Sequence, residues 1–321
     1  MFRCCSIRLG IQLIAVRKGN AMQVVDAHHH IWIPEQHEPD LGYGWLRDIG
    51  SIKPFGDPTA IQRDYQWDEY INESSMHDIA ASVYVQCDGA IADPVAETAW
   101  VQSTISKPAD KFGIVGLVNL ATEQAQAQLE AQCRFASFKG VRQIISYLDE
   151  HPQLCFSSEH LLRNARWQNQ FALLADHGLS FDLQLYPEQM IEAAEFLSRF
   201  PSVPIIIDHA GSPYDQSAAG IERWESGLQV LGQLDNTSIK LSGFGMFDKH
   251  WSTVSINPIV ARIMDIFGSD RVMYGSNFPV DKLFADFDEA LERISCCIAP
   301  YGKDVTESVF EQTARRIYRL K

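Results

Sequence analysis

The side chains best suited to catalysis or metal binding lie where short apolar runs end. Residues 24–32 read VVDAHHHIW, which places His28 and His30 two positions apart, and residues 204–211 read PIIIDHAG, which contains His209. In a strand, side chains two positions apart share one face, so His28 and His30 are expected on the same side. Two imidazoles so arranged can bind one divalent metal ion or polarise a carbonyl group, and His209 can supply a third ligand.

Other apolar runs also end in polar residues. These are Gln86, Arg142, Asp182, Gln184, Lys240, Ser242, Ser276 and Asn277. Buried strands have no packing reason to end in so many polar groups, which predicts that the strand ends surround a site. Arg142 can clamp a substrate carboxylate with its two-pronged guanidinium or form a salt bridge inside the protein. Lys240 can contact substrate or pair with Asp182.

Eight apolar runs of strand length supply the frame for these residues. They cover residues 24–32, 81–88, 112–120, 138–145, 179–185, 204–211, 237–244 and 271–279. Stretches with helical periodicity, such as 93–107, 122–136 and 221–234, lie between them. This alternation predicts an α/β fold, a (β/α)8 TIM barrel with its site at the carboxyl ends of the strands. An open doubly wound sheet is the alternative, but no GxGxxG motif follows an early strand.

The segment after the first run, residues 33–67, is long and rich in aromatic residues, which predicts a lid over the barrel mouth. Trp32, Tyr43 and Trp45 are candidate substrate contacts, and packing of the lid explains them equally well. Because no low-complexity linker interrupts residues 22–321, we expect one domain there. Residues 1–21 carry no acid and are interpreted as a disordered leader or an over-extended start, with a transit or export signal as the alternative.

The amino-acid composition limits the classes of molecule that the protein is expected to bind. The chain has 321 residues with 27 basic and 41 acidic side chains, a net charge of −14, which argues against nucleic-acid and anionic-membrane partners. It contains no uninterrupted apolar stretch of about 18 residues. Seven cysteines without a CxxC pair indicate the reducing cytoplasm. We therefore expect a cytoplasmic protein that binds a small molecule, and a homo-oligomer is compatible with the sequence.

Three motifs in order give the chain a family resemblance: DAHHH at residues 26–30, DHAG at 208–211 and GSNFPVD at 275–281. The chain resembles the amidohydrolase superfamily, specifically the amidohydrolase-2 branch of sugar-lactone and pyrone-dicarboxylate lactonases. The resemblance implies a TIM barrel that hydrolyses a lactone, sometimes without a metal. By residue, the family's histidine pair falls on His28 and His30 and its strand-6 histidine on His209. Its carboxylate-binding arginine falls on Arg142.

One position departs from the family pattern. Asn277 stands where most of the superfamily has an aspartate that serves as general base and metal ligand, and an amide cannot take a proton at neutral pH. Asp281 is our first candidate for the missing base and Asp182 the second. The departure also weakens the case for metal. We expect at most one divalent ion, zinc by preference, at His28, His30 and His209, or none.

These inferences predict a hydrolase that opens a sugar-acid lactone or a related carboxylated lactone. The expected substrate is small and carboxylated or polyhydroxylated, with Arg142, Asp182, Gln184 and Lys240 among its contacts. The alternatives are a metal-dependent nonoxidative decarboxylase, a lactone isomerase, and a barrel that has lost catalysis and only binds a ligand.

Overall fold

Eight parallel strands, each formed by one of the apolar runs, make the frame of the protein. The computed structural model describes residues 22–321, so the predicted leader lies outside the described residues. The strands are β1 Gln23–His29, β2 Asp78–Val85, β3 Phe112–Gly116, β4 Phe138–Arg142, β5 Ser180–Leu183, β6 Ile205–Ile207, β7 Thr237–Leu241 and β8 Val272–Tyr274. They follow one another in chain order, and each pairs in parallel with the next.

The barrel closes between β1 and the segment that follows β8. His29 forms a parallel bridge with Phe278, and the His30 amide donates to the Phe278 carbonyl at 2.7 Å. The Asn277 amide donates to the His28 carbonyl, also at 2.7 Å. The predicted TIM barrel is therefore confirmed. Its closure brings Asn277 directly beside the histidine strand.

Helices connect the strands as the alternation predicts. They are α1 Gly44–Arg47, α2 Trp67–Glu73, α3 Pro94–Thr104, α4 Ala125–Gln132, α5 Ala165–Gln170, α6 Leu173–Asp176, α7 Met190–Leu197, α8 Ala218–Gly232, α9 Thr253–Phe267, α10 Phe287–Ile298, α11 Lys303–Glu307 and α12 Thr313–Tyr318. Helix α3 begins where Asp93 accepts hydrogen bonds from two first-turn amides and proline occupies the first helical position. In the described range, no helix is both long and apolar enough to cross a membrane.

Helix α12 covers the floor of the barrel. Its Tyr318 packs in one cluster with small and branched side chains of the strands, including Val25, Val83 and Ile206. The Tyr318 hydroxyl donates to Asp182, which is on β5. Because this end is filled, access to the interior is confined to the opposite end, where the strands finish.

The lid predicted after β1 packs firmly on the barrel. Trp32 and Tyr65 exchange two backbone hydrogen bonds, at 2.8 and 3.0 Å. The Tyr43 hydroxyl donates to the buried Glu97 of α3, and so does that of Tyr84 from β2. Trp32 and Tyr43 are fully buried. This is the packing that a lid rich in aromatic side chains provides.

Candidate active site

Three imidazoles meet at the carboxyl end of the barrel. The His28 ring centroid lies 5.0 Å from that of His30 and 4.6 Å from that of His209. His209 follows β6 in a left-handed conformation with φ of 52°. Its ring packs on Gly243, where a Cβ atom would lie only 2.6 Å from His209 Nδ1. Residue 243 is therefore restricted to glycine, which also has a positive φ of 67°.

Hydrogen bonds at the Nδ1 atoms orient two of the rings. His30 Nδ1 lies 2.5 Å from the Val85 carbonyl oxygen, so it carries the proton and donates it there. The His30 Nε2 atom is left as an acceptor and lies 3.2 Å from Asn277 Oδ1. Burial, together with the charge of Arg142, holds the pKa of His30 well below its ordinary value. His209 Nδ1 contacts the Ser242 hydroxyl at 3.1 Å, and burial lowers the pKa of His209 to about 3.

His29 lies apart from these rings. It stacks on Tyr70 with ring centroids 4.4 Å apart, on the side of the strand that α2 covers. Within the described residues, both ring nitrogens lack a hydrogen-bond partner. His29 therefore packs against α2, whereas His28 and His30 face the site.

A buried charge cluster lies beneath the histidines. Lys240 Nζ lies 2.5 Å from Asp182 Oδ2 and 3.0 Å from Asp208 Oδ1, and His28 Nδ1 lies 3.2 Å from that same Asp208 oxygen. Burial raises the pKa of Asp182 to about 6 against the opposing effect of Lys240. Burial also acts upward on Asp208, but Lys240 and His28 hold its pKa well below the ordinary value. Of the two interpretations of Lys240, the geometry shows the pair with Asp182.

Arg142 joins this cluster from β4. One terminal nitrogen lies 3.4 Å from Asp208 Oδ2 and 3.3 Å from Gln184 Oε1, and the other donates to the Gln86 carbonyl. Both prongs of the guanidinium are thus engaged inside the barrel. Its Nε atom is buried and has no hydrogen-bond partner in the described part of the chain. The geometry therefore shows the internal salt bridge of Arg142 with Asp208.

Asn277 has a left-handed backbone with φ of 55° and separates Asp281 from His30. Its Nδ2 atom donates to Asp281 Oδ1 at 3.2 Å, and Asp281 Oδ2 accepts from the Gly243 amide at 3.1 Å. Burial raises the pKa of Asp281 to about 7. A chain of contacts thus runs from the Asp281 carboxylate through the Asn277 amide to His30 Nε2.

A cavity of about 290 Å³ opens above these groups. Its wall contains the following predicted site residues: Trp45, His30, Arg142, Gln184, His209 and Asn277. Six others lie outside the described wall: His28, Asp182, Lys240, Asp281, Trp32 and Tyr43. Of these, His28, Asp182, Lys240 and Asp281 support the site from below or behind. Trp32 and Tyr43 belong to the packing of the lid.

Asp208 is a site residue that was not predicted from the sequence. It directly precedes His209 at the end of β6 and contacts His28, Arg142 and Lys240. Its position in the DHAG motif was the available signal. Phe55, Phe156 and Met246 also line the cavity and were not predicted, because they lie in the segments between strands and longer helices, where periodicity gives no signal.

The donor set fits one divalent ion. Ligand atoms of His28, Asp208 and His209 all lie within 4.8 Å of one another. Asp208 Oδ1 is buried and forms an ion pair with Lys240. Among the described residues, no donor is oriented to form a hydrogen bond with this oxygen. Asp208 supplies the charge-balancing carboxylate that Asn277 cannot. The neighbouring cations Lys240 and Arg142 disfavour a second positive ion, so affinity at this site is expected to be weak.

Comparison with known proteins agrees with this architecture. The family model described as amidohydrolase matches residues 25–320. An amidohydrolase from Burkholderia multivorans, crystallised with bound HEPES and with bound zinc, superposes with TM-scores of 0.77 and 0.76 at 23% and 22% identity. In both cases the match covers 93% of this chain and 100% of the other. The chain belongs to the amidohydrolase family, and it is an enzyme of the hydrolase class.

Two curated relatives align along nearly their whole length. The uncharacterized protein y4mH of Sinorhizobium fredii is 31% identical over 297 residues, covering 92% of this chain and 98% of the relative. L-fucono-1,5-lactonase of Burkholderia ambifaria is 27% identical over 301 residues, covering 92% and 95%. The similarity places the chain in the lactonase-like branch that its motifs resemble.

Proposed function

We propose that this protein hydrolyses a lactone at the cavity above His30. The observation that carries the proposal is the wall itself, which combines an imidazole whose Nε2 is free to accept a proton with an arginine whose Nε–H has no partner. The first group can activate water and the second can stabilise an oxyanion. The named lactonase among the relatives supports the same reaction.

His30 is the base in this proposal. Its Nδ1–H is held by the Val85 carbonyl, so a water molecule at Nε2 can transfer a proton there while its oxygen bonds to the lactone carbonyl carbon. The protonated Nε2 then donates to Asn277 Oδ1, and the Asn277 Nδ2–H donates to the Asp281 carboxylate. The negative charge of Asp281 thereby stabilises the protonated His30 through the amide. Asp281 thus acts through another residue and is a positioning residue.

Collapse of the tetrahedral intermediate completes the reaction. The negative oxygen is stabilised by the Arg142 Nε–H. The bond from the carbonyl carbon to the ring oxygen breaks, and the departing alkoxide takes the proton from His30 Nε2. Water has then been added across the ester, the hydroxy acid is released, and His30 returns to its neutral form. The orientation set by Val85 is restored without any change of tautomer.

A divalent ion, zinc by preference, would be held by His28, Asp208 and His209, and would polarise the carbonyl or lower the pKa of a bound water. The rival decarboxylase reaction depends on a strand-8 acid, and this chain has Asn277 there. The five described cysteines are free thiols, which supports our inference of a cytoplasmic enzyme.

The proposal is tested with a panel of lactones and a pH indicator, since hydrolysis releases one proton per turnover. We expect His30→Asn to reduce kcat by about 10²–10⁴-fold, the usual contribution of a positioned base. His250→Asn is the matched control, because His250 is exposed in the loop after β7. Equal kcat for the parent protein and His30→Asn would refute the assignment of the base. Absence of hydrolysis across the panel would refute the reaction.

A further inference from the structure

We infer that the cavity selects an uncharged lactone with an apolar substituent and rejects carboxylated lactones. This inference rests on the proposed function and narrows its substrate. From the sequence we expect a carboxylated or polyhydroxylated ring. The charges and the walls of the cavity favour a different ligand.

The cations on the described wall already have anionic partners. Arg142 directs one terminal nitrogen to Asp208 at 3.4 Å and the other to a backbone carbonyl. Lys53, from the lid, lies 2.9 Å from Asp48 Oδ2. The wall also contains the buried carboxyl group of Asp88. A substrate carboxylate entering here would lose its hydration and find only cations that already have anionic partners, since the Arg142 Nε–H is assigned to the reacting carbonyl oxygen. Its binding is therefore strongly disfavoured.

The opposite part of the wall is apolar. Phe55 of the lid and Phe156 of the loop after β4 stack with ring centroids 6.5 Å apart and an interplanar angle of 14°. Trp45 meets Phe55 edge to face at 6.1 Å, and Met246 and Val280 continue the surface. Hydroxyl groups placed against these side chains would lose hydrogen bonds to water without replacement, whereas alkyl groups gain from burial.

The two parts of the wall fix how such a ligand lies. The groups that act on the ester stand at the strand ends, and the aromatic side chains come from the loops above them. The reacting carbonyl therefore points into the barrel and the substituent points towards Phe55 and Phe156. The cavity volume of about 290 Å³ is at the lower limit for small-molecule sites, so it suits a single ring with a short substituent.

A matched pair of substrates tests the inference. δ-Hexalactone carries a methyl group beside the ring oxygen, and its analogue carries a carboxylate in place of that methyl. We expect kcat/KM to be at least about 100-fold higher for the methyl compound, because burying an unpaired charge is so unfavourable. Each methylene added to the substituent should raise kcat/KM by about fourfold until the cavity is full.

Variants of the apolar wall complete the test. Phe156→Ala should remove most of the gain from a longer alkyl substituent, measured as the ratio of kcat/KM for each alkyl lactone to that for unsubstituted δ-valerolactone in the same variant. Phe55→Ala should act in the same direction. Tyr301→Ala is the control, since Tyr301 is a 42% exposed aromatic residue distant from the barrel mouth. Thermal unfolding of each variant verifies that it is folded.

The outcomes separate this inference from the proposed function. Equal or faster hydrolysis of the carboxylated analogue, or of a polyhydroxylated aldonolactone relative to the alkyl series, would overturn the inference while confirming a lactonase. An alkyl dependence that persists unchanged in both phenylalanine variants would overturn the assignment of the apolar wall. Failure to open any lactone would refute the reaction itself.

Discussion

Asp281→Asn should slow the enzyme and stabilise the fold at the same time. The parent carboxyl group is 3% exposed and accepts one hydrogen bond from Asn277 and one from the Gly243 amide. Asparagine preserves its size but offers only one acceptor oxygen. The substitution therefore removes a charge and about one hydrogen bond without opening a cavity.

The kinetic effect follows from the distance between the charges. One amide group separates the Asp281 carboxylate from His30 Nε2, roughly 7 Å, and at an effective dielectric constant of about 20 their attraction is about 2 kcal/mol. Loss of this stabilisation of the protonated His30 corresponds to about a 30-fold decrease in kcat/KM. Because burial raises the pKa of Asp281 to about 7, the carboxylate is present above that pH and lost below it. The parent activity should accordingly rise through pH 7, and the variant should lack this rise.

The stability effect has the opposite sign. The pKa of Asp281 rises from 3.8 to about 7 on folding, so the folded state holds a proton that the unfolded state has released. This carboxyl group therefore reduces stability as pH rises from about 3.8 to about 7, by about 4 kcal/mol in total. Asparagine removes this dependence. The difference in unfolding free energy between the variant and the parent should increase over that range and become constant above it.

Urea unfolding at several pH values and kcat/KM across the same range measure both effects. Asp286→Asn is the control, because Asp286 is an exposed cap of α10 in the same loop and asparagine caps a helix about as well, so stability and rate should both change little. Unchanged kcat/KM in Asp281→Asn would refute the contact chain to His30. A rise in activity through pH 7 that persists in the variant would refute the assignment of that rise to Asp281.

Three further predictions concern the buried charges. Burial raises the pKa of Glu97 from 4.5 to about 7, so Glu97→Gln should stabilise the fold by about 3 kcal/mol above pH 7 and by much less near pH 4; a pH-independent effect in urea unfolding would contradict this. Asp182→Asn leaves Lys240 with Asp208 as its remaining carboxylate partner and should destabilise the fold by about 3–5 kcal/mol; a stable variant with abolished turnover would instead favour Asp182 as the base. Elemental analysis of protein purified without chelator should find at most one divalent ion per chain, removable by dialysis, and two tightly held ions would contradict the single site.

The strands of this fold could be predicted because their signal is local. Each apolar run is a continuous segment, and strand–helix alternation translates directly into a parallel barrel. The C-terminal elements carry a weaker sequence signal, because the π-helical turn Ser308–Gln312 interrupts the periodicity between α11 and α12. Residues 165–178, which have helical periodicity in the sequence, are divided into α5 and α6, because the Leu174 and Ala175 amides donate to carbonyls three residues back, those of Phe171 and Ala172.

The sequence predicts which face of a strand the site residues share, but not how close to the cavity each side chain lies. Alternation along β1 indicated correctly that His28 and His30 share a face, but it carries no information on which ring reaches the cavity. The structure places His30 on the wall and directs His28 to Asp208 beneath it. The partners of Lys240 and Arg142 depend on contacts between strands far apart in sequence. Because a single sequence does not reveal these contacts, it leaves open whether Lys240 and Arg142 bind substrate or form internal ion pairs.

An uncharged residue at position 277 and an uncharged ligand in the cavity both fit the balanced charges at the strand ends. Two cations and two carboxylates neutralise one another at the strand ends: Arg142 on the cavity wall, and Lys240, Asp182 and Asp208 beneath it. The amide at position 277 separates the cavity from the carboxylate of Asp281, which acts from behind. An aspartate at 277 would place an additional negative charge on the wall and strengthen the attraction for a metal ion. Asn277→Asp should therefore bind a divalent ion more tightly than the parent protein, and titration with zinc followed by calorimetry would show equal affinities if this account of the charge is wrong.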